Sequence, residues 1–321
     1  MISLEDLEML VATNRCLYAD KLSDGVGPVE AFGEEREKRE EKLRFARATR
    51  ESTEQWRIQL LREGQESWAL SLATRAEQRS CVLYVHGHNK TFKDSLKQAS
   101  TIENRYNVDV ILFSWPSFKE HPQGQTEQEK QIDAYLSART IAESSADEFD
   151  RFLQLCSGMP RSPASASSHT VNLFTHSMGN YLLQNYVESQ AFDGFESKGL
   201  SNIVVCQADV NCTDHQLWLR KLIDTGPGVH VTVNQSDNRL ALAQDVLKSA
   251  RLGNTRPGAA CAGITYVDVT DGRGIGSEHT IWSEKINNDA VRAFFASVLN
   301  GKPGGAPMDN FWGSIRQLFP D

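Results

Sequence analysis

A serine in a predicted tight turn carries the strongest chemical signal in this chain. Ser177 follows the apolar run Val171–Thr175, which predicts a strand, and Met178-Gly179 leads into a run that predicts a helix. This layout is typical of a nucleophile elbow, in which the turn lifts a hydroxyl above the edge of a sheet, beside a helix N-terminus. Thr175 stands where the pattern G-x-S-x-G has its first glycine. Because small-x-Ser-x-Gly patterns arise often by chance, the context of the motif decides its meaning.

A serine hydroxyl is a poor nucleophile until a base removes its proton, so the sequence should also supply a histidine. Three histidines follow Ser177, namely His215, His230 and His279. His230 begins a predicted strand and His215 lies near a predicted helix start. His279 instead ends the glycine-rich stretch 271–279, after the last predicted strand, and we expect it to be the base. The alternative for His279 is an ordinary solvent-exposed loop histidine.

The carboxylate that orients the base has two candidates. Asp237 follows a predicted strand in Gln235-Ser236-Asp237-Asn238, and Asp209 follows the preceding strand in Gln207-Ala208-Asp209. Both lie at carboxyl ends of strands, where ligand chemistry collects in open α/β sheets. The alternative role of each is a helix N-cap, for which Asp is strongly preferred. We favour Asp237 as the acid and keep Asp209 as the alternative acid.

The oxyanion formed on attack needs fixed hydrogen-bond donors. We expect one donor to be the backbone N–H of Met178, directly after the nucleophile. The second is expected at the backbone N–H of His88, in the turn His86-Gly87-His88-Asn89 that follows an apolar run. Gly87 lets the backbone approach a substrate closely, and we place Gly87, Asn89 and Trp115 at the substrate-binding surface.

His86 and His88 have an alternative role as metal ligands. No H-E-x-x-H helix and no carboxylate partner accompanies them in the sequence, so no metal site is expected. His176, beside the nucleophile, is expected to pack against a loop rather than to act in catalysis. The chemistry outlined so far requires no cofactor.

The elements that must position these residues alternate between strand and helix. Continuous β-branched strands separated by helices predict an α/β fold with a mainly parallel sheet covered on both faces. This order places Ser177 after the third parallel strand of the core. The other predicted strands of the parallel core are Cys81–Val85, Val108–Ser114, Ile203–Gln207, Val229–Asn234 and Gly263–Val269, and Trp56–Leu61 and Trp68–Leu72 predict a short antiparallel pair before it. The predicted helices include Phe92–Tyr106, Ile132–Leu155, His215–Ile223, Leu240–Ala250 and Lys285–Leu299.

Segments on either side of this core, and one long loop within it, are assigned separately. Residues 1–52 are rich in alternating charge and predict a helical extension, which could be a cap, a dimer arm or a partner surface. The core domain is expected over 53–303, and the tail 304–321 contains Met308–Asp321, a candidate docking helix. Trp115–Gln131 is a long loop that either covers the substrate site as a lid, or as a wall that sets substrate specificity, or only connects two elements.

Bulk composition excludes several classes of protein. The chain has 321 residues, a net charge of −8, 40% hydrophobic residues and 24% charged residues, which is typical of a globular protein without a nucleic-acid footprint. No apolar run is long enough to cross a bilayer, and the N-terminus lacks the layout of a signal peptide. The six cysteines are scattered and are expected to be reduced, in a cytoplasmic protein.

With these residues identified, the chain resembles the α/β-hydrolase superfamily, over about Ser80 to Leu299. In detail it is similar to a bacterial family of α/β hydrolases of unknown function, whose members show a VHG-x-N turn, an FSWPS strand and an HSMGN elbow. The corresponding segments here are Val85–Asn89, Phe113–Ser117 and His176–Asn180, with Ala208–Val210, Ser236–Arg239 and His279 extending the likeness. The resemblance implies a Ser-Asp-His hydrolase, with Ser177, Asp237 and His279 in those roles.

We therefore expect a cytoplasmic serine hydrolase of the esterase or lipase type that cleaves a small-molecule acyl ester. A thioesterase or amidase using the same mechanism is not distinguished by the sequence. The rival hypothesis is a catalytically silent binding or scaffold protein that keeps the fold. A second copy of the chain or a protein partner would then contact the N-terminal extension.

Overall fold

The fold is described from a computed structural model, which covers residues 8–37, 43–52, 55–62, 64–65, 79–157, 170–194, 199–302 and 316–318. The strands are β1 (Glu8–Thr13), β2 (Arg15–Leu17), β3 (Val26–Pro28), β4 (Phe32–Arg36), β5 (Arg44–Arg50), β6 (Trp56–Leu60), β7 (Cys81–Val85), β8 (Asp109–Ser114), β9 (Val171–His176), β10 (Leu200–Cys206), β11 (Gly228–Val233), β12 (Ile264–Asp268) and β13 (Arg316–Leu318). The helices are α1 (Phe92–Tyr106), α2 (Glu127–Ser144), α3 (Ala146–Ser157), α4 (Gly179–Glu188), α5 (His215–Asp224), α6 (Asn238–Leu247) and α7 (Asp289–Leu299).

One 11-stranded sheet organises the described residues, in the order β13-β12-β11-β10-β9-β7-β8-β1-β5-β6-β3. β1 and β7 to β12 run parallel to one another, whereas β5, β6, β3 and β13 continue the two edges antiparallel. The prediction of an α/β fold with a mainly parallel sheet is confirmed. β9, which carries the serine turn, lies between β7 and β10 near the middle of the sheet.

Two hydrophobic cores cover the two faces of the sheet. Alternate residues of β7 point to opposite sides: Val82 and Tyr84 pack with α1 and α7, and Leu83 and Val85 pack with α3, α4 and α5. This separation follows from the period of two along a strand. Burial on both faces explains why the central strands read as continuous apolar runs.

The prediction of a helical N-terminal extension is wrong. β1 places Met9, Leu10, Val11 and Ala12 in the interior and pairs with β5 on one side and β8 on the other. A continuous apolar run buried on both faces is typical of a central strand. Although the leucines and the valine of this segment have helical spacing, burial between two neighbouring strands determines that it is a strand. The limit drawn at residue 52 falls between β5 and β6, which pair in the same sheet. Because β1 comes first and runs parallel, the serine follows the fourth parallel strand in chain order.

Several predicted helix limits also change. The helix expected over 132–155 is two helices, because Ser145 leaves helical geometry (φ −97°, ψ 4°) between α2 and α3. α2 begins at Glu127, with Thr126 and Glu129 forming a capping box, so the loop after Trp115 is shorter than predicted. In the tail, Arg316–Leu318 form a strand against β12 where a docking helix was expected, and 304–315 and 319–321 lie outside the described residues. In the part of the chain that is described, no helix combines the length and the apolar character that a membrane crossing requires.

Candidate active site

Ser177 occupies a strained turn between β9 and α4. Its φ of +55° lies in the left-handed region, which residues other than glycine rarely adopt. The turn is held in place from the neighbouring strand, because Ser177 N donates to Cys206 O at 3.0 Å and Asp209 N donates to Ser177 O at 3.2 Å. Strained backbone of this kind persists only where the surrounding structure imposes it, and such positions concentrate at functional sites.

Asn180 fastens the turn from inside the protein. Its Nδ2 donates to three backbone carbonyl oxygens, those of Thr175 (3.2 Å), Ser177 (3.1 Å) and Cys206 (3.0 Å). Its Oδ1 accepts a hydrogen bond from the Thr175 hydroxyl at 2.5 Å. The threonine in place of a glycine therefore has a role, since it supplies the donor that orients the Asn180 amide.

Two glycines allow the turn to pack closely against the end of β7. A Cβ on Gly87 would lie 2.7 Å from Ser177 Cβ and 3.2 Å from Ser177 Oγ. A Cβ on Gly179 would lie 2.8 Å from the carbonyl oxygens of both Val85 and His86. The distances of 2.7 and 2.8 Å are shorter than real Cβ contacts, so the two backbones approach as closely as they do only because both positions lack a side chain.

The structure brings Ser177, His279 and Asp237 together. His279 Nε2 lies 2.8 Å from Ser177 Oγ, and His279 Nδ1 lies 2.7 Å from Asp237 Oδ2. In the neutral tautomer that satisfies both contacts, Nδ1–H donates to the carboxylate and Nε2 accepts from the serine hydroxyl. Asp237 is fully buried and the His279 side chain keeps 17% of its exposure. Ser177 itself is 7% exposed.

Asp237 is held by four hydrogen bonds. Oδ1 accepts from the backbone N–H groups of Arg239 (2.9 Å) and Leu240 (3.1 Å), which makes Asp237 the N-cap of α6. Oδ2 accepts from Gln207 Nε2 at 2.6 Å as well as from His279. One carboxylate therefore both caps α6 and binds the imidazole of His279.

Asp209, the alternative acid, points to other partners. Its Oδ2 accepts from the Tyr135 hydroxyl at 2.8 Å, and its Oδ1 lies 3.7 Å from Arg251 Nη1. Burial raises the pKa of Asp209, with the guanidinium of Arg139, the Tyr135 hydroxyl and Arg251 acting in the opposite direction. Both ring nitrogens of His279 are already hydrogen-bonded, to Ser177 and Asp237, so neither is left for the Asp209 carboxylate. Asp209 contacts the serine turn through its backbone N–H, which donates to Ser177 O.

The loop that carries His279 is fixed by a second histidine and by two amides. His176 Nε2 donates to the His279 carbonyl oxygen at 2.8 Å, and the two rings lie 4.8 Å apart. Burial lowers the pKa of His176 well below its ordinary value, so its ring is neutral. Gln207 Nε2 and Asn234 Nδ2 both donate to the Glu278 carbonyl oxygen, at 3.0 and 3.2 Å.

The turn expected to complete an oxyanion hole lies directly against Ser177, through Gly87. Among the described residues, neither the backbone N–H of His88 nor that of Met178 has a hydrogen-bond acceptor. Met178 precedes the first residue of α4, so its N–H belongs to the unpaired donors of a helix N-terminus. The His88 ring packs edge-on against Tyr135 with 5.6 Å between centroids, and burial lowers its pKa to about 4.

His86 and Trp115 support this turn from beneath. His86 Nδ1 donates to Gly87 O at 2.9 Å, and His86 Nε2 accepts from Trp115 N at 3.2 Å. Burial lowers the pKa of His86 to about 3, so the ring is neutral and both nitrogens are engaged. The Trp115 ring stacks on His86, is 0% exposed and donates to His86 O at 2.9 Å. Trp115, expected at the substrate-binding surface, therefore lies behind the turn, whereas Asn89 is exposed at its tip with a φ of +59°.

Three residues that hydrogen-bond to the site had no role predicted from the sequence. Gln207 and Asn234 end predicted strands at the carboxyl edge, and that location was their only signal. Asn180 belongs to the elbow motif, but nothing in the sequence shows that its amide bridges three carbonyls. Within the described ranges, no group of three or more His, Cys, Asp or Glu side chains is arranged to hold a metal ion.

Comparison with known proteins places this site within a family. The family model described as "Alpha/beta hydrolase of unknown function (DUF900)" matches residues 62–286, which is more than half of the chain and includes the elbow, Asp237 and His279. A search of curated proteins gives no significant match. The mainly parallel sheet, the serine turn after a central strand and the family match agree, and the chain belongs to this family of α/β hydrolases of unknown function.

Proposed function

We propose that this protein is a serine hydrolase that cleaves an acyl ester, with Ser177 as nucleophile, His279 as general base and acid, and Asp237 as the carboxylate that orients the imidazole. The observation that carries the proposal is the continuous chain of hydrogen bonds from Ser177 Oγ through His279 to Asp237 Oδ2, at 2.8 and 2.7 Å. A hydroxyl becomes an effective nucleophile when a base lies within hydrogen-bond reach and a third group fixes that base.

The reaction begins when Ser177 Oγ attacks the ester carbonyl carbon and its proton passes to His279 Nε2. The carbonyl oxygen becomes an oxyanion, which the N–H groups of Met178 and His88 stabilise by hydrogen bonds. The tetrahedral intermediate then collapses: the C–O bond to the alcohol breaks, and His279 returns the proton to the leaving oxygen. Water repeats the sequence on the acyl-enzyme, and the carboxylic acid leaves with Ser177 restored.

Asp237 has no proton to give in this scheme. Its charge keeps Nδ1–H directed away from Ser177, so that Nε2 presents its lone pair to the hydroxyl, and it stabilises the imidazolium that forms during attack. The supporting bonds from Gln207 Nε2 and from the start of α6 hold the carboxylate in one orientation. Such a preorganised arrangement lowers the cost of reorganisation in the transition state.

The decisive experiment is intact-mass analysis after treatment with a fluorophosphonate probe. The wild-type protein should gain a single adduct, and Ser177→Ala should gain none. Ser236→Ala, which removes an exposed hydroxyl near Asp237, is the matched control and should label like the wild type. A folded wild-type protein that gains no adduct would overturn the hydrolase proposal and favour the scaffold hypothesis.

Substrate class is tested separately, with p-nitrophenyl esters, an acyl thioester and an anilide of the same acyl group. The ester should be cleaved faster than the anilide, because an amine is a poorer leaving group than a phenol. Faster cleavage of the thioester or the anilide would contradict the ester assignment while leaving the triad intact.

A further inference from the structure

Arg15 places a fully buried guanidinium beneath the two turns that flank Ser177. Its side chain is 0% exposed, and its three nitrogens all donate. Nε donates to Ser114 Oγ at 3.1 Å, Nη1 donates to Gly33 O at 3.4 Å and to the Glu34 carboxylate, and Nη2 donates to Lys90 O at 2.9 Å and Trp115 O at 2.7 Å. Burying a full positive charge costs free energy unless all of its N–H groups are hydrogen-bonded. The guanidinium of Arg15 meets this condition, because Nε, Nη1 and Nη2 all donate.

The two acceptors of Nη2 belong to different segments. Lys90 ends the turn that carries His88, and Trp115 directly follows β8. The segments also bond to each other, since Ser117 O accepts from Asn89 N at 2.9 Å and Ser117 Oγ accepts from Lys90 N at 3.1 Å. The two N–H bonds of Arg15 Nη2 donate to one carbonyl of each segment, which fixes the distance between the segments.

Glu34 links Arg15 to α1, the helix that follows the turn. Its Oε2 pairs with Arg15 Nη1, and its Oε1 accepts from Phe92 N at 3.2 Å, at the start of α1. The backbone from Lys90 to Phe92 is therefore held at both ends by an ion pair that comes from β2 and β4, in which Arg15 is buried and Glu34 is partly exposed. These strands lie before residue 62, where the family match begins.

We propose that Arg15 is a positioning residue, which sets the location of the His88 N–H relative to Ser177 through Lys90 and Trp115. This inference rests on the proposed hydrolase function, because only in a hydrolase does that N–H serve as an oxyanion donor. Because Gly87 packs closely against Ser177, the turn has no room to adjust, and a movement of Lys90 therefore also moves the backbone N–H of His88. Misplacement by about 1 Å is enough to lower a rate by about 10²-fold.

The geometry requires arginine rather than another cation. Its planar fork of five N–H groups reaches acceptors in several directions at once, whereas the lysine ammonium offers three donors from one point. Arg15→Lys keeps the charge beside Glu34 but cannot also reach Lys90 O and Trp115 O. This substitution therefore separates the positioning contacts from the ion pair.

The test compares Arg15→Lys with Arg36→Lys, a matched control on the neighbouring β4. Arg36 Nη2 pairs with Glu148 Oε1 at 2.6 Å, and the Glu148 side chain is 1% exposed, so the control also disturbs an ion pair with a buried carboxylate. Among the described residues, the side chains of this pair hydrogen-bond to each other and to neither turn. Arg15→Lys should lower the second-order rate of fluorophosphonate labelling and kcat for an ester by about 10- to 100-fold with KM little changed. Arg36→Lys should stay within about twofold of the wild type.

Hydrogen exchange of the backbone amides gives a readout independent of activity. In Arg15→Lys, the amides of Asn89 and Lys90 should exchange at least about tenfold faster than in the wild type, and those of Arg36→Lys should be unchanged. Suppose that the wild type labels at Ser177. The inference is then overturned if Arg15→Lys and Arg36→Lys show equal labelling rates and equal exchange rates of the Asn89 and Lys90 amides. If the wild type does not label, the hydrolase proposal fails, and the exchange of Asn89 and Lys90 alone decides whether Arg15 holds the turn.

Discussion

Asp237 accepts the Nδ1–H of His279 with one carboxylate oxygen while its other oxygen caps helix α6. The division matters because the two functions respond differently to substitution. An asparagine retains an oxygen for the cap but loses the charge that fixes the imidazole tautomer, whereas an alanine loses both. The pair of substitutions can therefore separate the contribution of Asp237 to stability from its contribution to chemistry.

Asp237→Asn should lower kcat for an ester by about 10³- to 10⁴-fold, because the amide no longer selects the tautomer that presents Nε2 to Ser177. Its free energy of unfolding should fall by about 1–3 kcal/mol, because the new amide nitrogen faces the buried donor Gln207 Nε2. Asp237→Ala should cost about 1 kcal/mol more through loss of the cap. Steady-state kinetics and urea unfolding measure the two effects. Asp209→Asn is the comparison, and a larger rate loss there than in Asp237→Asn would assign the acid to Asp209.

Gly87→Ala should reduce fluorophosphonate labelling by about 10²-fold, because the new methyl group would displace either Ser177 or the turn that carries His88. The clash is with Ser177 Cβ, at 2.7 Å. Gly258→Ala is the matched control, since a Cβ there meets nothing within 4 Å and the labelling rate should be unchanged. Equal rates for the two variants would show that the turn moves without cost to the nucleophile.

Thr175→Gly restores the common G-x-S-x-G pattern and yet should destabilise the protein. It removes the hydroxyl that donates to Asn180 Oδ1, and it adds backbone freedom within a strand, so the free energy of unfolding should fall by about 2–4 kcal/mol. Thr175→Ser keeps the donor and should lose about 1 kcal/mol, for the missing methyl group. Chemical denaturation compares the variants, and a glycine variant as stable as the wild type would show that the Asn180 amide needs no orienting donor.

Glu103 makes the stability of the fold depend on pH. Burial raises the pKa of this carboxyl to about 8, with the Val110 N–H and Arg79 opposing the shift and Asp109 adding to it. Between its ordinary pKa and about 8, the folded state holds a proton that the unfolded state has released, so the free energy of unfolding falls as the pH rises through this range. Glu103→Gln, which keeps an oxygen for the Val110 N–H, should remove much of that fall.

The measurement is the free energy of unfolding of wild type and Glu103→Gln at pH 5 and pH 8. From pH 5 to pH 8, the free energy of unfolding of Glu103→Gln should rise relative to that of the wild type by about 1 kcal/mol or more. Glu127→Gln, at an exposed position on α2, should follow the wild type at both values. Parallel pH profiles for all three proteins would mean that Glu103 titrates normally in the folded state.

The central part of the fold was predictable because its signals are local. β7 to β12 are short β-branched runs bounded by turns, and their carboxyl ends collect Ser177, Asp237 and His279 once the sheet is parallel. The juxtaposition of these three side chains follows from that topology, while their catalytic roles stay predictions. Asp237 and Asp209 both stood at strand ends, and sequence order alone does not say which carboxylate faces the histidine.

The N-terminal strands were not predictable in the same way. β1 pairs with β8, so the burial of Val11 depends on residues far along the chain. β5 shows no regular alternation, since its neighbours Phe45 and Ala46 are both buried, and it directly follows a charged stretch. Arg15 could not be recognised as a buried residue from its type, because arginine is mostly exposed unless all of its donors are satisfied. The acceptors that satisfy it are assembled only by the tertiary structure, and they lie in Gly33, Glu34, Lys90, Ser114 and Trp115.

The position of β1 in the sheet has a consequence for folding during synthesis. Leu10 pairs with Arg47 on one side and with Ile111 on the other, so we expect β1, β5 and β6 to pair before β8 is synthesised. Until β8 is added, β1 would be an open edge with unpaired backbone groups, which is a template for pairing with another chain. Nascent or truncated chains that end before residue 109 should therefore self-associate through β1, and addition of β8 should end that tendency by occupying the edge.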